Sequence, residues 1–173
     1  MDAMIDLETM GTTVGAAIVS IGVVLFDPRK GRITDKNFYA ELDWKNQERI
    51  IDQKCIEEFW KKQPKSIRQQ LNGKKELPDV LEDLQFFLPN DVIVWGNGPT
   101  FDISKLEHAY GSYNLEIPWK YYNIRDCRTV RDLYDTKRNA ITRGKVGSGN
   151  HNALGDAKAQ CEYICKMWKS ILS

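Results

Sequence analysis

Long apolar runs are missing from this chain. The longest, residues 18–26, is interrupted by Ser20 and is far too short to cross a bilayer as a helix. No basic-then-apolar leader precedes the first strand-like segment, so the expected compartment is the cytoplasm, with no membrane partner. Histidine is scarce, limited to His108 and His151, and none of the four cysteines forms a Cys-x-x-Cys pair. Too few ligands are therefore present for a zinc centre. Cys161 and Cys165 stand at helical i, i+4 spacing within an apolar stripe, and with Cys55 and Cys127 they read as reduced core thiols. Net charge is almost absent: 25 Lys and Arg face 24 Asp and Glu, leaving +1. That counts against a protein that coats nucleic acid through a global basic footprint. Repeats, low-complexity tracts and linkers are lacking too, so residues 1–173 are expected to form a single domain with a sizeable core.

What is there alternates between strand and helix signals. Residues 3–6 and the Val/Ile-rich residues 16–26 read as strands, with Asp27, Pro28 and Gly31 closing a turn into a third strand over residues 38–42. These three form an expected antiparallel meander. Ile56, Phe59 and Trp60 have helical spacing up to Pro64, and a short helix follows toward Leu71. Val80, Leu81, Leu84, Phe87 and Leu88 make an amphipathic stripe ending at Pro89. A buried strand over residues 91–95 leads through Gly96-Asn97-Gly98-Pro99 to a helix over 101–110. A fifth strand is expected over 121–124, a helix over 127–134, a mobile basic loop over 136–150, and a closing helix over 153–172. The class is α/β: a five-stranded mixed sheet flanked by helices.

Charge, though balanced, is uneven. Residues 120–145 carry Lys120, Arg125, Arg128, Arg131, Lys137, Arg138, Arg143 and Lys145, and a second cluster holds Lys61, Lys62, Lys65 and Arg68. Solvated helix faces are the plain explanation; phosphate contacts are the other. The acids are more informative. Asp6 and Glu8 are two apart at a strand's end, so both point to one face while Ile5 and Leu7 face the other. Like charges held together call for a cation, although most such pairs are surface acids. Asp102 opens a helix just beyond a strand, where it serves as a helix-terminal acid or as a ligand at the sheet's carboxyl edge. His151 precedes the closing helix and Asp156 lies in its first turns, one able to take a proton and the other to hold a metal.

In this order and spacing, the motifs resemble the DEDD exonuclease superfamily in its histidine-containing (DEDDh) branch. Asp-x-Glu matches Asp6-Leu7-Glu8, the Asn and Phe-Asp element matches Asn97 with Phe101-Asp102, and His-x-Ala-x-x-Asp-Ala matches His151 to Ala157. Within it, the chain is similar to the bacteriophage exonuclease A and mycobacterial ribonuclease AS group, through Ile5 to Gly11, Phe59 to Gln63, Trp95 to Gly98 and Arg125 to Thr129. The resemblance implies a ribonuclease H-like fold and a 3′→5′ exonuclease releasing 5′-nucleoside monophosphates. It implies two Mg²⁺ ions, with Mn²⁺ able to substitute, held by Asp6, Glu8, Asp102 and Asp156, and His151 as general base. The partner implied is a single-stranded nucleic-acid 3′ end. Thr9 and Met10 are expected at the terminal nucleotide, with Met10 wedged against its base. Trp60 is expected to stack on that base or to pack in the core, with Gln63 beside it. Asn97, Phe101, Arg128, Arg138 and Arg143 complete the expected substrate contacts. The phage-like motifs tilt the sugar toward DNA. An exoribonuclease is the alternative, and a catalytically inactive binding module on the same fold is the rival of another class. The basic clusters also permit a homodimer.

Overall fold

β1 (Asp2–Thr9) is buried along almost its whole length, the mark of a central strand covered on both faces. In the computed structural model, which describes residues 1–138 and 150–173, it pairs antiparallel with β2 (Ile18–Asp27) and parallel with β4 (Ile93–Gly96). β3 (Arg32–Glu41) extends the sheet antiparallel beyond β2, and β5 (Ile124–Asp126) runs parallel outside β4. The order is β3-β2-β1-β4-β5, a mixed five-stranded sheet with the expected antiparallel meander on one side.

Alternation along β1 divides the core. Ala3, Ile5 and Leu7 join the cluster packed with α3 (Leu77–Phe87) and α4 (Pro99–Ser112), through Leu81, Leu84, Ile103 and Leu106. Met4 joins the opposite cluster, packed with α5 (Cys127–Lys137) and α6 (Ala153–Leu172) through Cys127, Cys161 and Ile164. Period two therefore sends Asp6 and Glu8 to the α6 side. A third cluster, of Met10, Ala17, Val19 and Trp60, lies beyond the end of β1, under α1 (Gln53–Glu58) and the single 3₁₀ turn Trp60–Lys62. The short helix α2 (Lys65–Arg68) and a further 3₁₀ turn, Gln69–Asn72, complete that segment.

β3 starts at Arg32, six positions before the expected strand. Its first half is polar and exposed, carrying Arg32, Asp35 and Lys36 at the sheet's edge. Charged edge residues suppress pairing with other chains and erase the apolar alternation that would mark a strand. The fifth strand also sits later than expected, because residues 121–123 form a 3₁₀ turn before Ile124. All four cysteines are free thiols, and burial pushes those of Cys127 and Cys161 far up. Among the described residues, no helix is long and apolar enough to cross a membrane. Most of the basic loop expected over 136–150, including Arg143, lies outside the described residues.

Candidate active site

Three chain segments converge where β1 emerges from the sheet. Asp6 pairs in register with Gly22 of β2, and Glu8 with Ser20. Gly22 decides how close α6 can come. A Cβ there would lie 2.3 Å from the backbone of both Ala153 and Leu154, so the first turn of α6 rests directly on the strand. Asn152 caps that turn, its side-chain oxygen accepting from the Gly155 N–H at 3.0 Å. Asp156 is thereby held over the sheet, and oxygens of Asp6, Glu8 and Asp156 all lie within 4.8 Å of one another.

Asp102 enters from the other side. Gly98 takes a left-handed φ of 96° as the chain leaves β4, and α4 begins at Pro99. Asp102, buried in the first turn of α4, accepts the Leu7 N–H at 3.2 Å, a bond between residues 95 positions apart. That bond ties it to the strand between Asp6 and Glu8.

Burial raises the proton affinity of Asp6, Glu8 and Asp102, and repulsion from neighbouring acids adds to the rise at Asp6 and Glu8. Glu8 is pushed up to about 8, by desolvation first and then by Asp156 and Asp102. Asp6 is raised well above the carboxylate range by burial, Asp102 and Glu8, against the pull of a 2.7 Å hydrogen bond from the Gln160 amide. Asp102 is raised to about 7 by burial, opposed by the Leu7 N–H and by the cations Lys105 and Arg128. Acids that resist ionising together, presented as an all-oxygen donor set, fit a hard divalent cation such as Mg²⁺ or Mn²⁺.

The cluster floors a cavity of about 1050 Å³. It is also lined by Lys54, Cys55, Glu58 and Phe59, by Asn97, Gly98, Thr100, Phe101 and Arg128, and by Thr9, Gly11 and Thr12. His151 also lines it, in a left-handed conformation (φ 55°) just before the α6 cap, its ring edge-on to Phe59 at 4.8 Å.

Several expected substrate residues lie outside the cleft lining. Met10 is 1% exposed and packs in the third core cluster, so it presents no surface to a base. Trp60 is equally buried and donates its indole N–H to the Thr9 carbonyl at 3.0 Å, whereas its neighbour Phe59 lines the cleft. Gln63 bonds back to the Phe59 carbonyl outside the cleft lining. Arg138 is exposed at the end of α5, bonded to the Tyr134 hydroxyl and absent from the cleft. Thr9, Asn97, Phe101 and Arg128 do line it. Sequence reasoning missed Lys105, which is 1% exposed and reaches the Thr12 and Phe101 carbonyls from behind Asp102. It also missed Gln160, whose single signal is its place on the helix that carries Asp156, and Gly22, which stands on the strand paired with the one that bears Asp6 and Glu8.

Residues 1–168 match the model of the 3′-5′ exoribonuclease Rv2179c-like domain. The exodeoxyribonuclease of Enterobacteria phage T4 is 27% identical over 172 aligned residues, covering 76% of this chain and 74% of the phage protein. Among solved structures, cell-death related nuclease 4 superposes with a TM-score of 0.70 at 10% identity, over 98% of this chain and 64% of that one. The nuclease domain of 3′hExo, a DEDDh family member bound to rAMP, gives 0.60 at 18% identity, over 97% and 91% of the two chains. At those identities the structures speak for the fold, which is the ribonuclease H-like fold of the DEDDh exonucleases. The acids at the end of β1, the acid opening α4 and the His–Asp pair at the start of α6 stand in that fold, and the chain belongs to the Rv2179c-like 3′-5′ exoribonuclease domain family, a 3′→5′ exonuclease by class.

Proposed function

We propose that Asp6, Glu8, Asp102 and Asp156 hold two Mg²⁺ ions, replaceable by Mn²⁺, and that the chain removes 5′-nucleoside monophosphates one at a time from a single-stranded 3′ end. The observation that carries this reading is the convergence of four separated acids, three of them within 4.8 Å of one another and the fourth bonded to the strand between two of them. The chemistry such ions supply when bound is activation of water and neutralisation of the departing 3′-oxygen.

The protein's own groups do the rest. His151, half-buried at the cleft, takes the proton of the attacking water at a ring nitrogen. Phe59 offers a face to the terminal base, where stacking contributes roughly 1–3 kcal/mol. Arg128 packs against the Gly98 backbone, where a Cβ would meet its guanidinium at 2.9 Å, and it contacts substrate phosphate. Thr9 and Asn97 complete the seat of the last nucleotide. Residues 1–173 act as one catalytic domain in the cytoplasm, and the clusters of Lys and Arg leave room for a homodimer, which sedimentation resolves.

The sugar is the open choice. The T4 relative supports DNA and the family model supports RNA. Matched DNA and RNA oligonucleotides labelled at the 5′ end decide it, with Mg²⁺ and with chelator. A ladder shortening from the 3′ end only when Mg²⁺ is present is expected. Cleavage from the 5′ end, or cleavage that survives chelation, overturns the proposal. Binding without cleavage would instead favour the inactive module, which the full set of acids argues against.

A further inference from the structure

His151 precedes the helix cap in a left-handed conformation that non-glycine residues seldom adopt, so something must hold it there. Gln70 does. Its side chain is 2% exposed, and its amide N–H donates to the His151 carbonyl at 2.8 Å. Its amide oxygen is committed too, accepting the Ser20 hydroxyl at 2.7 Å. Ser20 is fully buried on β2 and pairs in register with Glu8. One side chain thus connects the rung of the sheet that carries Glu8 to the backbone of His151. The same segment of chain supplies the other constraints. Phe59 packs edge-on against the His151 ring, and Trp60 ties the segment to the Thr9 carbonyl, next to Glu8.

From this geometry we infer that Gln70 is a positioning residue for His151, fixing the imidazole relative to the acid cluster through its two hydrogen bonds. The inference rests on His151 being the general base. A side chain acting this way changes the proton-transfer step and leaves the acids where they are. Displacing a reacting group by about an ångström costs on the order of 10²-fold in rate, so the effect is measurable even after partial relaxation.

The test is a double-mutant cycle on Mg²⁺-dependent release of mononucleotides from a short oligonucleotide. Gln70→Met keeps the volume and removes both hydrogen bonds. It is expected to lower kcat by about 10-fold to 100-fold while KM and calorimetric Mn²⁺ affinity stay within about twofold of the parent. Ser20→Ala, which frees only the Gln70 oxygen, gives a smaller loss in the same direction and serves should Gln70→Met fail to fold. In a His151→Ala background, Gln70→Met should cost nothing further. Full kcat in both Gln70→Met and Ser20→Ala overturns the inference. So does a further drop of the same size in the His151→Ala background, or a loss that appears in Mn²⁺ affinity. Near-normal turnover by His151→Ala alone overturns the general-base reading itself, and this inference with it.

Discussion

Replacing Gly22 with alanine tests how the cluster is assembled. The added methyl would sit 2.3 Å from the Ala153 carbonyl carbon and the Leu154 nitrogen, and ordinary contact begins near 3.4 Å. The first turn of α6 must therefore retreat by about 1 Å, since the neighbours are backbone atoms with no rotamer to change. Asp156 and His151 travel with it, away from Asp6 and Glu8, which stay with β1. A shift of that size costs about 10²-fold in turnover, and the overpacking costs roughly 1–3 kcal/mol of stability. The assay pairs kcat with thermal melting and calorimetric Mn²⁺ titration. Gly111→Ala is the control: it adds a methyl within α4 where nothing lies within 4 Å, and should stabilise the helix by up to about 1 kcal/mol without touching turnover. A Gly22→Ala protein with the melting point, Mn²⁺ affinity and kcat of the parent would refute the close docking of α6 on β2.

Three further predictions follow from the cleft. Glu8 is ordinarily near 4.5 and is held at about 8, so the metal-free fold binds a proton that the unfolded chain releases, and its stability falls as pH rises through that window. Divalent cations relieve the repulsion, so the gain in Tm on adding Mn²⁺ should be larger at about pH 8.5 than at about pH 6; an equal gain contradicts the assignment. Gln160→Leu removes the amide that holds Asp6 at 2.7 Å and should weaken Mn²⁺ binding, measured by calorimetry, by about tenfold; unchanged affinity removes Gln160 from the site. Phe59→Ala should raise KM for oligonucleotides by about 5-fold or more, from the lost stacking, whereas an unaltered KM shows that no base rests on that ring.

The acids were legible because their spacing carries their geometry. Two residues apart on a strand fixes a common face, and a helix that starts at Ala153 leaves His151 outside it with Asp156 in the first turn. The neighbouring pair Phe59-Trp60 was not decidable in advance. Both are apolar, a 3₁₀ turn begins between them, and only tertiary packing turns the indole toward Thr9 and the phenyl toward the cleft. Met10 follows the strand that bears the acids, yet its N–H bonds to Ala17 and its side chain drops into the third cluster. Gly22 reads as a weakness in a Val/Ile-rich strand, and its purpose shows only when α6 lies across it. Gln70 and Gln160 carry no motif at all. Their importance comes from the groups they face, residues 81 and 154 positions away in the chain.

Calorimetric titration of Mn²⁺ into the parent protein and into Asp6→Asn examines the heart of this account most directly. The parent should bind two ions per chain. Asp6→Asn should lose that binding and yet melt higher than the metal-free parent, because a carboxylate that is buried and repelled by Asp102 and Glu8 has been neutralised. A folded Asp6→Asn protein that still takes up two ions with parental affinity would contradict it.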